Sequence, residues 1–335
     1  MTSPADTVSR SVSHVRTLAT PAALALYPLW LDAFHLSIVG GRDLLHEAIA
    51  SAFLTLAFAV PALGMWAAMH WARTTRQRRL AYAAVMAPTL YVFLGVVLYM
   101  LRSPLSDEEV WCALWIVLAF LSVRGRGKRL ESSPIACGRL RIAHGVAGSI
   151  VLLFVAFHLG NHLAGLLGPQ VHAGIMQAGR RVYRAHLIEP LLIAAMLFQV
   201  GSGLVLAWTW SAVRPSMHRL FQVASGFYLS AFIVGHLNSV FIFARMYLRV
   251  PTDWDFATGA PTGLLHDPWN IRLVPHYALG VFFVLAHLAS GLRGILLGHG
   301  VGKASADRIW SAGLTLGILL AALILAGMCG VRVPA

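Results

Sequence analysis

Apolar runs of about twenty residues recur along this chain, separated by short stretches rich in charge, Gly and Pro. A helix rising 1.5 Å per residue needs about 20 apolar residues to cross a hydrocarbon layer of about 30 Å. By that measure residues 44–72, 80–101, 140–167, 185–210, 219–245, 273–297 and 308–330 predict spanning helices, with Pro61 as a kink in the first. Residues 17–39 are interrupted by Asp32 and two prolines, and residues 108–123 are short. The pattern predicts an all-α integral membrane protein, a helical bundle of eight or nine transmembrane helices, nine if 17–39 crosses.

Composition agrees. Of 335 residues, 58% are hydrophobic and 12% charged, against about 25% charged in a soluble domain. The net charge of +13 does not point to nucleic acid, because the basic residues fall in short clusters between the apolar runs. Arg73, Arg76, Arg78 and Arg79 form one cluster, and Arg124, Arg126, Lys128, Arg129, Arg139 and Arg141 a second. Arg214 with Arg219, and Lys303 with Arg308, complete the set. All lie on one side of a multi-pass chain in lipid, as expected for the cytoplasmic face of a bacterial inner membrane. Arg180, Arg181 and Arg184 break the rule by falling on the other side. Arg10 and Arg16 precede an apolar stretch, as in a signal peptide, but no small-residue cleavage site follows, so the segment is expected to stay. The connector 124–139 separates a front block, residues 1–130 with three or four helices, from a back block of five helices, residues 139–330. Cys112, Cys137 and Cys329 form no C-x-x-C or C-x-x-C-H word, so any haem would be b-type, held by axial ligation and packing.

Candidate chemistry lies among the fifteen histidines. His46, His70, His144, His218 and His276 fall near span ends, where a polar tip reaches the interface. Histidines deeper in a span need a partner. His158 lies about 24 Å and His236 about 26 Å along spans of the same direction, which puts them at one depth. Gln199 and His287 lie about 20 Å along spans of the opposite direction, at a second depth nearer the inner face. Both of the latter begin similar words, Gln199-Val200-Gly201-Ser202-Gly203-Leu204 and His287-Leu288-Ala289-Ser290-Gly291-Leu292. Two rings at one level are what a bis-imidazole haem needs. The small residues beside them allow close helix approach or room for a flat macrocycle.

Three further words are V-A-F-H-L-G-N-H (155–162), Q-V-A-S-G (222–226) ahead of His236, and H-Y-A-L-G-V (276–281) ahead of His287 and Ser290-Gly291. With the span order, they make residues 139–330 resemble the five-helix cytochrome b558 membrane-anchor subunit of succinate dehydrogenase and fumarate reductase. The resemblance implies a two-haem, cytochrome b-like bundle in which the first and third helices ligate an outer haem b and the second and fourth an inner one. His158 and His236 would then bind the iron of the outer haem. His287 would supply half of the inner pair, and the other half falls on Gln199, which is not a usual ligand. Either the inner haem is lost, or His287 binds it with another ligand or none. The resemblance also implies quinone as substrate, and a flavoprotein and an iron–sulfur subunit as cytoplasmic partners. The chain would be a non-catalytic membrane subunit of that assembly. The front block lies outside the resemblance.

Other polar residues are placed with this scheme. Arg181 and Arg184, with Arg180, would meet haem propionates. Glu189 is a helix N-terminal acid or a proton carrier for a quinone, and Arg293 snorkels or meets a propionate. His162 lies one turn after His158 and would face solvent. The alternative function is a non-haem membrane protein that keeps the bundle for transport or for anchoring a partner.

Overall fold

The structure is a computed structural model and describes residues 4–41, 43–124, 128–131 and 137–334. Arg126 of the basic connector lies outside the described residues. Among the described residues there are helices and no strands, and seven helices are long and apolar enough to cross a membrane, eight if one bent pair is a single span. The chain is a multi-pass, all-α membrane protein. It divides into two compact units, Met1–Pro134 with Thr209–Leu220, and Ile135–Trp208 with Phe221–Ala335.

The first unit contains α1 (Pro4–Gly40), α2 (Leu44–His70), α3 (Thr75–Val85), α4 (Ala87–Met100) and α5 (Asp107–Arg124). The stretch predicted as one span over 80–101 is two helices bent by 69°. Pro88 has no N–H for the carbonyl one turn back, so the helix ends and restarts there. Residues 108–123 are helical, but α5 is not among the helices long and apolar enough to span. Pro28 leaves the Leu24 carbonyl of α1 without its usual donor. Trp111 Nε1 donates to that carbonyl at 2.6 Å, and Cys112 Sγ donates to Ala25 O at 3.3 Å. Trp111 is 1% exposed and packs edge-on to Tyr91 and Trp115. Within this unit the buried Arg78 donates to the Val213 carbonyl, and Arg79 Nε donates to Ser211 Oγ at 3.1 Å.

The second unit contains α6 (Gly138–Leu163), α7 (Pro169–Tyr183), α8 (Ile188–Trp210), α9 (Met217–Leu237), the short helices α10 (Trp254–Thr258) and α11 (Gly263–His266), then α12 (Leu273–Gly298) and α13 (Lys303–Met328). After α9 the chain continues as a π-helical run, Asn238–Leu248. Helices α12 and α13 pack tightly. A Cβ on Gly313 would sit 2.5 Å from Ala289 Cβ, and one on Gly317 would sit 3.1 Å from Leu285 Cβ. Gly313 and Gly317 are spaced as in a small-xxx-small contact, which lets backbones approach. The backbones of α6, α8, α9 and α12, by contrast, rarely come within 8 Å of one another. Rings meet between α6, α9 and α12, and Gln199 and Ser202 of α8 reach α6 by hydrogen bonds. On α6, Ile142, Val146, Ile150, Leu153 and Phe157 form an exposed apolar stripe at helical spacing, which is its lipid face. His144, Val151 and His158 recur every seven residues and lie on the opposite side.

Trp111→Phe removes the donor that covers the Leu24 carbonyl, at a cost on the order of 1 kcal/mol. In a Pro28→Ala background residue 28 regains an N–H for that carbonyl, so Trp111→Phe should cost less. Unfolding of the four proteins in detergent measures the coupling, and strictly additive effects would refute this account of the kink.

Candidate functional site

The second unit holds two histidine pairs, both hung from α6. The first is His158 on α6 with His236 on α9, ring centres 5.9 Å apart and planes at 70°. Each ring is stacked on a phenylalanine one turn earlier on its own helix. Phe154 lies 5.4 Å from His158, and Phe232 lies 5.8 Å from His236. Phe232 also faces the His276 ring at 4.6 Å and fits because Gly280 presents no side chain there. His276 was expected at an interface but is 4% exposed, with its Nδ1 buried and without a hydrogen bond.

His162 does not face solvent. Its ring packs 4.7 Å from His158, 5.3 Å from His172 and 6.5 Å from Trp254. The reason is local: α7 and α10 cover this end of α6, and Gly165 leaves room for the Trp254 indole. His172 completes the cluster, with its Nε2 3.1 Å from Asn161 Nδ2.

The second pair corrects an expectation. The ring facing His287 of α12 is His144 of α6, with centres 6.1 Å apart and planes at 79°. His144 is not an interfacial tip. Its heptad relation to His158 turns it into the bundle. Its Nδ1 lies 2.8 Å from Ser202 Oγ of α8, and His287 Nδ1 lies 2.9 Å from Ser225 Oγ of α9. Gln199 sits beside this pair, and its Nε2 donates to the His144 carbonyl at 2.7 Å. The sequence signal for this arrangement is a repeat, Q-V-G-S-G at 199–203 and Q-V-A-S-G at 222–226, in which each Ser-Gly seats one ring.

A cationic cluster lies at the α7 end of the unit. Arg180 Nη2 donates to Thr252 O at 2.8 Å and to Thr252 Oγ1 at 3.2 Å, and Arg184 Nη2 donates to Thr252 Oγ1 at 2.9 Å. Arg245, from the π-helical run, pairs with Glu189 at 2.9 Å. The Nε atoms of Arg180, Arg184 and Arg245 are buried without a hydrogen-bond partner. Burial first, then repulsion from Arg180 and Arg245, pulls Arg184 below its ordinary value. Arg181 is exposed. Arg293 pairs with Asp307 at 2.6 Å, tying α12 to α13.

His172 lies outside the spans. Burial, and after it the charge of Arg180, holds its imidazole below the ordinary value. The unfolded chain takes up this proton near pH 6.5, while the folded chain resists until lower pH. His172 therefore favours folding fully above about pH 6.5 and progressively less below it. Acidifying from pH 7.5 to 5.5 should lower the unfolding midpoint, and His172→Gln should reduce that drop. An equal drop in the variant would exclude His172 as a source.

Comparison with family models, with curated proteins and with solved structures returns no match for this chain.

Proposed function

We propose that this protein is a membrane electron-transfer subunit that holds a b-type haem between His158 and His236 and exchanges electrons with a quinone in the bilayer. The observation that carries this is the 5.9 Å separation of the two rings. A metal–imidazole bond of about 2 Å on each side sets two ring centres about 6 Å apart. The residues around the pair fit the group in other ways. The four helices make few close backbone contacts, and side chains, rings among α6, α9 and α12 and polar groups from α8, bridge them. The buried, unpartnered Nε atoms of Arg180, Arg184 and Arg245 are donors that acidic propionates would satisfy. Bound there, haem would supply reversible one-electron chemistry.

The protein's own part is to hold and tune. His158 and His236 present neutral rings from two helices, and Phe154 and Phe232 fix their planes by stacking. The rings of His162 and His172 pack in turn from the pair toward α7, and His172 Nε2 meets Asn161 Nδ2. Glu189 is engaged by Arg245 and is not a free carrier. By the resemblance to the succinate dehydrogenase and fumarate reductase anchors, the electron partners would be a flavoprotein and an iron–sulfur subunit on the cytoplasmic side.

The test is a reduced-minus-oxidised spectrum of the purified full chain, with haem counted per chain. A b-type band is expected, and its contribution from this site should vanish in His158→Ala and in His236→Ala. A colourless protein would overturn the proposal and leave a polar-lined bundle for transport or for anchoring a partner.

A further inference from the structure

We infer that His144 and His287 form a second pair of axial ligands, with Ser202 and Ser225 setting their tautomer and Gln199 acting as a positioning residue rather than a ligand. This rests on the function proposed above and extends it to a second site, built from a different ligand set than the resemblance implies.

The chemistry follows from proton counting. A serine hydroxyl has one hydrogen to donate. Ser202 Oγ donates its hydrogen to the Phe198 carbonyl at 2.6 Å, and Ser225 Oγ donates to the Gln222 carbonyl at 3.2 Å. With its hydrogen on that carbonyl, each oxygen accepts from the imidazole nitrogen beside it. That places the hydrogen on Nδ1 of both His144 and His287, and leaves Nε2 of both with its lone pair. A neutral ring with Nδ1–H engaged and Nε2 free is the form that binds a metal. Two such rings, 6.1 Å apart between centres, face each other across the bundle.

The backbone is shaped for the same end. A Cβ on Gly203 would meet His144 Cε1 at 3.3 Å, and one on Gly226 would meet His287 Cε1 at 3.7 Å. A side chain at 203 would press on the His144 ring, while a Cβ at 226 would just touch the His287 ring. Gln199 reaches the second lone pair of the His144 carbonyl, and the missing side chain of Gly148 leaves room for its amide, 3.5 Å from where a Cβ would be. Gln199 thus fixes the α6 backbone at the residue that carries the ligand. His144 and His158 are fourteen residues apart on α6, close to four full turns, so both rings leave the same side of the helix about 21 Å apart.

The experiment is haem counting and redox titration of the purified full chain. Two haems per chain with two midpoint potentials are expected. His144→Ala and His287→Ala should each remove the same haem, and keep the one that His236→Ala removes. Ser202→Ala should keep both haems and raise the potential of the haem that His144→Ala removes, because its ligand loses the hydrogen bond that makes it more basic. Gln199→Leu should also keep both. One haem per chain, lost in His236→Ala and untouched in His144→Ala, overturns this inference and leaves the proposed function standing. No haem overturns both. If His144→Ala does not accumulate, unshifted potentials in both Ser202→Ala and Ser225→Ala overturn the inference. Loss of one haem in Gln199→Leu but not in His144→Ala returns the ligand role to Gln199.

Discussion

A polar ring in hydrocarbon has no water to turn to, so its partner must come from within the bundle. That constraint organises the second unit. At the level of His144 and His287 the partners are serine hydroxyls on neighbouring helices, and each serine is itself tied to its own backbone. At the level of His158 and His236 the rings lie on phenylalanines and on one another, ring packing continues through His162 to His172, and His172 Nε2 meets Asn161. Rings of this size stand between α6, α9 and α12. The tight contact of α12 with α13 through Gly313 and Gly317 does the opposite and gives α12 a firm backing.

The arginines at the α7 end follow the same logic with charge in place of polarity. Arg245 pairs with the Glu189 carboxylate, while Arg180 and Arg184 donate to Thr252. A guanidinium is costly to bury unless its donors are engaged, and each of these leaves a buried Nε over. Arg245 reaches the cluster from the π-helical run that begins two residues after His236. A π-turn advances the chain by a wider step, and such runs are frequent at functional sites. Nine residues of ordinary α-helix would put His236 and Arg245 on opposite sides, and the π-helical run between them changes that angle.

The spans were legible because about twenty apolar residues in a row have few other uses. The bend at Met86 was not, because Pro88 sits inside an apolar stretch and hydropathy does not register a missing N–H. His158 and His236 were legible by matching depth, since the spans that carry them run on past α6 and α9 to Leu167 and Leu248. His144 was misplaced because it stands only six residues into α6, where depth predicts an interfacial tip. What decides its direction is the heptad it shares with Val151 and His158. Gln199 drew attention for its place in the Q-V-G-S-G word, while the residues of that word that touch a ring are Ser202 and Gly203. Matching that word to Q-V-A-S-G at 222–226, rather than to the His287 word, would have found the seats.

The two ring pairs have nearly equal spacing and different surroundings, and the difference has a direction. An imidazole whose Nδ1–H is held by an oxygen acceptor is a stronger donor at Nε2 than one that is merely stacked. Stronger donation favours the oxidised metal and lowers its potential. His144 and His287 are the held pair, and His158 and His236 the stacked pair. With iron between each, the pair hung from the start of α6 would have the lower potential and the pair near its end the higher. On the function proposed above, electrons would then run downhill along α6 toward His158. One helix, with two histidines four turns apart and different neighbours at each, would set both the path and its sense.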